Sequence, residues 1–251
     1  MLSLFNGVTR PLALAWYAFT KNHTNIADVC IWQMQPSRQN YSGLPAKYRP
    51  SALQVTESYP CVIDWCPFST IRDKLILMHS ANPFLDTIIS DVASAYVLEI
   101  DVAKVLANEH PQPGYVRVLD LISAMETLGD MSHDSCSEST RGTWTEDDAS
   151  CHLPAPNLDS LFTSDYSRQV FELLRMDDGK LRYKLDPSLF IQYPELYDPS
   201  ADLVASGFRI APASQKTLPI PTRPDHSTMR LYSHFAEWSV STVYGSDIVL
   251  C

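Results

Sequence analysis

Residues 82–106, NPFLDTIISDVASAYVLEIDVAKVL, decide how this 251-residue chain is read. Asn82-Pro83 has the form of a helix start, with Asn able to cap and Pro suited to the first turn. Leu85, Ile88, Ile89, Val92, Tyr96, Val102 and Leu106 then recur at helical spacing, which predicts a helix of about 25 residues stopped before Pro111 and Pro113. Asp86, Asp91, Glu99 and Asp101 fall between them and read as a solvated face. So long a helix needs neighbours, because propensity alone does not hold it. One neighbour is expected over 67–80, where Phe68, Ile71, Leu75 and Met78 make one apolar stripe. Another is expected over 117–128, although Val116, Val118 and Leu121 also allow an extended start. The expected fold is all-α, an irregular helical domain with a disordered acidic insertion.

The 67–80 helix is introduced by two Pro-punctuated words, Tyr48-Arg49-Pro50-Ser51-Ala52-Leu53-Gln54 and Pro60-Cys61-Val62-Ile63-Asp64-Trp65-Cys66-Pro67-Phe68. Pro60 and Pro67 push the residues before them out of the helical region, so 55–66 is expected to be extended. Pro67 suits the first turn, and Asp64 just before it suits a cap at the positive end of the dipole. Asp64 and Arg72 then admit two readings: a partly buried pair, or a cap and a surface Arg that never touch. Trp65 is either a core wedge or an interface anchor. Ile63, Asp64, Trp65, Pro67, Phe68 and Arg72 are therefore the structural or interaction residues expected here, and none is assigned catalytic, cofactor or metal duty.

The same words carry a resemblance. Arg49-Pro50-Ser51-x-Leu53-Gln54, Ile63-Asp64, Pro67-Phe68 and Arg72-Asp73-x-Leu75 resemble the domain of unknown function that follows the basic-leucine-zipper in many fungal transcription factors. Family members tend to read Arg-Pro-Thr-x-x-Gln, then a His-Pro-Trp-Ile-Asp-like segment, Pro-Phe-Pro and Arg-Asp-x-Leu. Ser51 stands for the Thr, Cys61-Val62 for the usual Pro and Trp, and Ser69 for the second Pro. The likeness is best over 45–80, weaker to 125, and echoed in Asp186-Pro187-Ser188-Leu189-Phe190 and Tyr193-Pro194-Glu195-Leu196-Tyr197-Asp198-Pro199 over 186–199. It implies a regulator more than an enzyme, and brings no assigned chemistry with it.

Composition narrows the classes further. A hydrophobic content of 45% supports a real core. The net charge of −10 argues against a duplex-binding surface, and the 19 Lys and Arg are scattered with no basic region or leucine heptad. Specific DNA binding by this chain is not expected. Eight glycines never come closer than Gly129 and Gly142, which excludes a P-loop or dinucleotide fingerprint. Seven histidines never fall at i, i+4, and Gly-x-Ser-x-Gly and His-Glu-x-x-His are absent. His79 or His110 beside Asp64 or Glu109 is a generic acid–base possibility, and a structural His79 is the better reading. Cys30, Cys61, Cys66, Cys136, Cys151 and Cys251 form no metal spacing and read as reduced thiols. No cofactor or membrane span is expected. The apolar run 11–19 lacks a cleavage site, so secretion is disfavoured against the nucleus or cytoplasm.

Five segments follow: an N-terminal helical segment (1–35), a first helical part (36–128), a disordered acidic linker (129–156), a second helical part (157–210), and a Pro/Ser-rich linker with a tail (211–251). Short helices are expected at Asp186-Pro187 and Asp198-Pro199, with Gly207 as a C-cap. The function expected is the effector or interaction domain of a zipper-type factor, with a protein partner and without its own DNA-binding region. The alternative is a cofactor-free helical enzyme or small-molecule-binding protein whose pocket sequence alone does not reveal.

Overall fold

The 82–106 stretch does not run as one helix. A computed structural model describes residues 16, 19–20, 22–126, 152–176, 182–218, 230 and 234. In it, helix Leu85–Ser94 stops and strand β1, Tyr96–Asp101, begins two residues later. The helix yields because its last turn is held from outside. The Ser94 carbonyl accepts from Arg117 Nε at 3.1 Å, and Ser94 Oγ accepts from the Leu218 N–H at 2.9 Å. Beyond it, Tyr96-Val97-Leu98 is aromatic and β-branched, the composition that fits a pleated surface. Tyr96, Val102 and Leu106 are all buried, but Tyr96 by β1, Val102 by a 3-10 turn and Leu106 beside Ala155, which is why helical spacing misleads here.

β1 sits inside a four-stranded sheet of order β3-β1-β2-β4, with β2 at Pro113–Arg117, β3 at Lys184–Leu185 and β4 at Phe208–Ile210. β1 runs antiparallel to β2 and β3, while β2 and β4 are parallel. The fold is mixed α/β, and the all-α expectation is wrong. Side chains alternate as a strand requires: Tyr96, Leu98 and Val116 face the main core, while Val97 and Tyr115 join Ala205 in a small cluster of their own. Gly207, expected to close a helix, instead launches β4. Its φ is +100°, and a Cβ there would collide with the Pro113 carbonyl.

Nine helices are described in chain order: α1 Asn22–Met34, α2 Arg38–Gly43, α3 Ala52–Thr56, α4 Ser69–His79, α5 Leu85–Ser94, α6 Val118–Glu126, α7 Leu158–Leu161, α8 Ser164–Leu173 and α9 Pro187–Gln192. Single 3-10 turns lie at Ala46–Tyr48, Cys61–Trp65, Val102–Lys104 and Pro194–Leu196. α9 starts as its Asp-Pro predicts, with Asp186 Oδ1 accepting the Ser188 N–H at 2.9 Å. Asp198-Pro199 makes only a turn, with Asp198 Oδ1 accepting from the Ser200 N–H at 2.9 Å and from its hydroxyl at 2.7 Å. α4 begins at Ser69 without a side-chain cap, so neither Asp64 nor Pro67 plays the part expected of it. Asn82 is one step removed from its expected role: its Oδ1 accepts the Phe84 N–H at 2.9 Å, ahead of α5.

The main core draws on residues from Trp16 to Leu218, on both sides of 127–151, and the sheet does too. α6 and α8 pack against each other, and Phe19 meets Phe171 edge-on at 5.7 Å. Most of the acidic stretch expected to be disordered lies outside the described residues. Its end does not: Ala155 is buried, its N–H donates to the Val105 carbonyl, and its own carbonyl accepts from Ala107, both at 2.8 Å.

Candidate functional site

The two Pro-punctuated words meet in one buried polar network. Ser51 and Gln54 form a capping box at the start of α3: Ser51 Oγ accepts the Gln54 N–H at 3.3 Å, and Gln54 Oε1 accepts the Ser51 N–H at 3.0 Å. Ser51 Oγ also donates to Asp73 Oδ1 on α4 at 2.5 Å. Gln54 then does more than cap. Its Oε1 accepts from Arg72 Nε at 2.8 Å, and its Nε2 donates to Asp64 Oδ1 at 2.5 Å. Asp64 and Arg72 do not touch; Gln54 stands between the two charges. Both readings of that pair thus fail in part: the residues are buried, yet linked through an amide.

Each charge is well satisfied. Asp64 also accepts from the Tyr59 hydroxyl at 2.8 Å and from Gln33 Nε2 of α1 at 2.5 Å. Arg72, wholly buried, donates from Nη1 to the carbonyls of Lys47 (2.9 Å) and Cys66 (2.7 Å), and from Nη2 to that of Arg49 (2.8 Å). A guanidinium suits this position because its donors diverge in one plane and it stays charged when buried. Burial, with the Asp64 hydrogen bond, pushes the Tyr59 phenol up to about 12, and burial pushes the Cys66 thiol to about 11. The network is a latch that fastens α1, α3, the 46–48 and 61–65 turns and α4 to one another.

The remaining expected residues divide by role. Ile63, Phe68, Ile71 and Leu75 are buried, with Phe68 edge-on to Tyr96 at 5.2 Å; Met78, expected in the same stripe, is 47% exposed. Trp65 is half-buried and packs on the small cluster of Ile26, Val29, Leu44 and Tyr48. His79 meets neither Asp64 nor Glu109. Its Nε2 lies 3.0 Å from Glu195 Oε1 and its Nδ1 2.9 Å from Asn82 Nδ2, tying the end of α4 to the 194–196 turn. Asn82 can only donate to Nδ1 with its amide, so the ring proton is on Nε2 and points at Glu195. Among the described residues no group of three or more His, Cys, Asp or Glu is placed to hold a metal ion.

Beside the latch lies a cleft of about 590 Å³. Its apolar lining is Pro67, Phe68, Tyr183 and Leu203, and its charged lining is Lys47, Arg182, Lys184, Glu99 and Asp202. The latch sets one wall, since Arg72 holds the backbone carbonyl of Lys47. Lys47 Nζ lies 5.6 Å from the Tyr48 ring centre and 5.8 Å from that of Tyr183, and burial lowers its pKa. Lys184 differs: its Nζ lies 3.1 Å from Glu99 and 3.2 Å from Asp202. Sequence reading missed Gln54 as a connector, although Ser-x-x-Gln is a capping-box signal. It had no signal for Lys47 and Lys184, which are 137 positions apart yet line one cleft.

No helix among the described residues is long and apolar enough to cross a membrane. Neither the curated proteins nor the solved structures yield a match to the chain. A family model described as a domain of unknown function, DUF3425, matches residues 27–203, which includes the whole latch and all of the cleft's lining. By that match over more than two thirds of its length, the chain belongs to the DUF3425 family.

Proposed function

We propose that this chain is the effector or interaction domain of a zipper-type transcription regulator of the fungal kind, working in the nucleus or cytoplasm through a protein partner. The observation that carries the reading is a set of exposed large apolar side chains on surface elements that are fastened together. Leu77 and Met78 on α4, Phe84 just after it, and Ile191 and Tyr197 beyond β3 are 46–83% exposed. α4 is tied to the last of these elements by the His79–Glu195 contact and by Lys74 Nζ, which donates to the carbonyls of Glu195 (3.1 Å) and Tyr197 (2.7 Å). Exposed apolar anchors on a rigid support are what a docking partner covers. The latch residues that carry the family resemblance are spent on holding the fold, and the net charge of −10 opposes a direct DNA role.

Fusing the chain to a heterologous DNA-binding domain and reading a reporter tests this. A change in reporter output that Leu77→Ser with Phe84→Ser abolishes, at unchanged melting temperature, is the expected result. Equal output with and without the chain overturns the proposal. Sequence-specific gel shift by the chain alone at about 150 mM salt contradicts the indirect role.

A further inference from the structure

The cleft beside the latch has an unbalanced charge. Lys184 is neutralised by Glu99 and Asp202, both within 3.2 Å. Lys47 is not: among the described residues its ammonium faces the rings of Tyr48 and Tyr183 and no carboxylate. Arg182, exposed at the rim, adds a second cation without an ion partner among those residues. Holding an ammonium half out of water with no counter-ion is unfavourable, and an anion entering the cleft relieves it. The apolar lining (Pro67, Phe68, Tyr183 and Leu203) offers contact to the uncharged part of the same molecule. A volume of about 590 Å³ falls in the range of roughly 300–1,000 Å³ typical of small-molecule sites.

We infer that this cleft binds a small organic anion, a carboxylate carried on an apolar body, with Lys47 as its charge partner. The site deepens the effector-domain reading by supplying a small-molecule signal, but its chemistry is independent of that reading. Binding to purified protein and reporter output are separate readouts, so either can fail alone.

The test uses the full chain and the fluorescent aromatic sulfonate 8-anilinonaphthalene-1-sulfonate, displaced by 2-naphthoate or by its neutral amide, 2-naphthamide. The expected result is that 2-naphthoate displaces the probe at least about tenfold more effectively than the amide, the discrimination typical of a hydrogen bond to a charged group. Lys47→Met keeps the stem between the two rings and removes only the charge, so it should erase that preference. Lys184→Met, whose charge is already spent, should retain it. Should Lys47→Met fail to fold, Asp202→Asn decides, because Asp202 is 88% exposed in its side chain and removes an anion from the rim. It should strengthen 2-naphthoate binding two- to threefold or so and leave the amide unchanged. Absence of probe binding, equal displacement by acid and amide, or full preference in Lys47→Met overturns the inference. Displacement by a Glu-rich peptide but not by 2-naphthoate also overturns it, since a chain segment would then be the occupant.

Discussion

Replacing Arg72 by Met removes four hydrogen bonds at once: to Gln54 Oε1 and to the carbonyls of Lys47, Cys66 and Arg49, all at 2.7–2.9 Å. Met fills much of the same volume, so packing loss is small and the polar loss dominates. Each acceptor left buried without its donor costs about 1–3 kcal/mol, and a charged donor sits at the upper part of that range. Even at about 1 kcal/mol each the four sum to about 4, near the 3–5 expected for breaking a buried charged network. Against an ordinary domain stability of about 5–15 kcal/mol, Arg72→Met stands at the edge of folding. Arg72→Lys isolates the shape of the head group. An ammonium keeps the charge and three donors but cannot fan them in a plane, so it should cost less, about 2–3 kcal/mol. Urea titration followed by tryptophan fluorescence reads both, with an unchanged slope showing that the midpoint shift is stability alone. A wild-type midpoint for Arg72→Lys would refute the claim that the guanidinium fork is what the site requires.

Asp64→Asn leaves one acceptor oxygen where Gln54, Tyr59 and Gln33 all donate, and should cost about 2 kcal/mol or more in the same titration. Phe68→Ala removes a ring packed on Tyr96 and should cost about 3–5 kcal/mol by thermal melt. Asp120 carries its pH signature in the opposite sense from most carboxylates. Burial outweighs Arg117 and Gln215 and raises its pKa, so the stability it confers is full below the unfolded value near 3.8 and falls as pH rises through the folded one. Melts from pH 4 to pH 8 should show Asp120→Asn at least as stable as wild type at neutral pH, with its advantage gone at pH 4. A colorimetric disulfide reagent at pH 8 should react at exposed Cys61 well before buried Cys66, whose thiol is pushed to about 11.

Local chemistry was legible in the sequence only in part: Asp198-Pro199 carries the same signals as Asp186-Pro187 yet makes only a turn. Asp186-Pro187 starts a helix because both its signals act within one turn, and the 67–80 stripe is a helix because Ile71 and Leu75 face the same core. What the sequence hid depends on distant partners. Residues 96–101 are a strand because Arg117 and Leu218 stop the preceding helix and β2 and β3 supply the ladder; none of these is near in sequence. Asp64 and Arg72 stand out in the sequence, but their geometry does not, since the amide that joins them belongs to a capping box ten residues before Asp64. The cleft was invisible for the same reason: its cations come from the 46–48 turn, from Arg182 and from β3.

Gln54 is the joint that ties the residues of the two Pro-punctuated words and α4 into one latch. A double-mutant cycle between Gln54→Met and Arg72→Lys measures that joint, because both changes disturb the same Gln54–Arg72 hydrogen bond. If Gln54 joins the latch, the double variant loses less than the sum of the singles, by about 1 kcal/mol or more. Losses that add to within about 0.3 kcal/mol would contradict it.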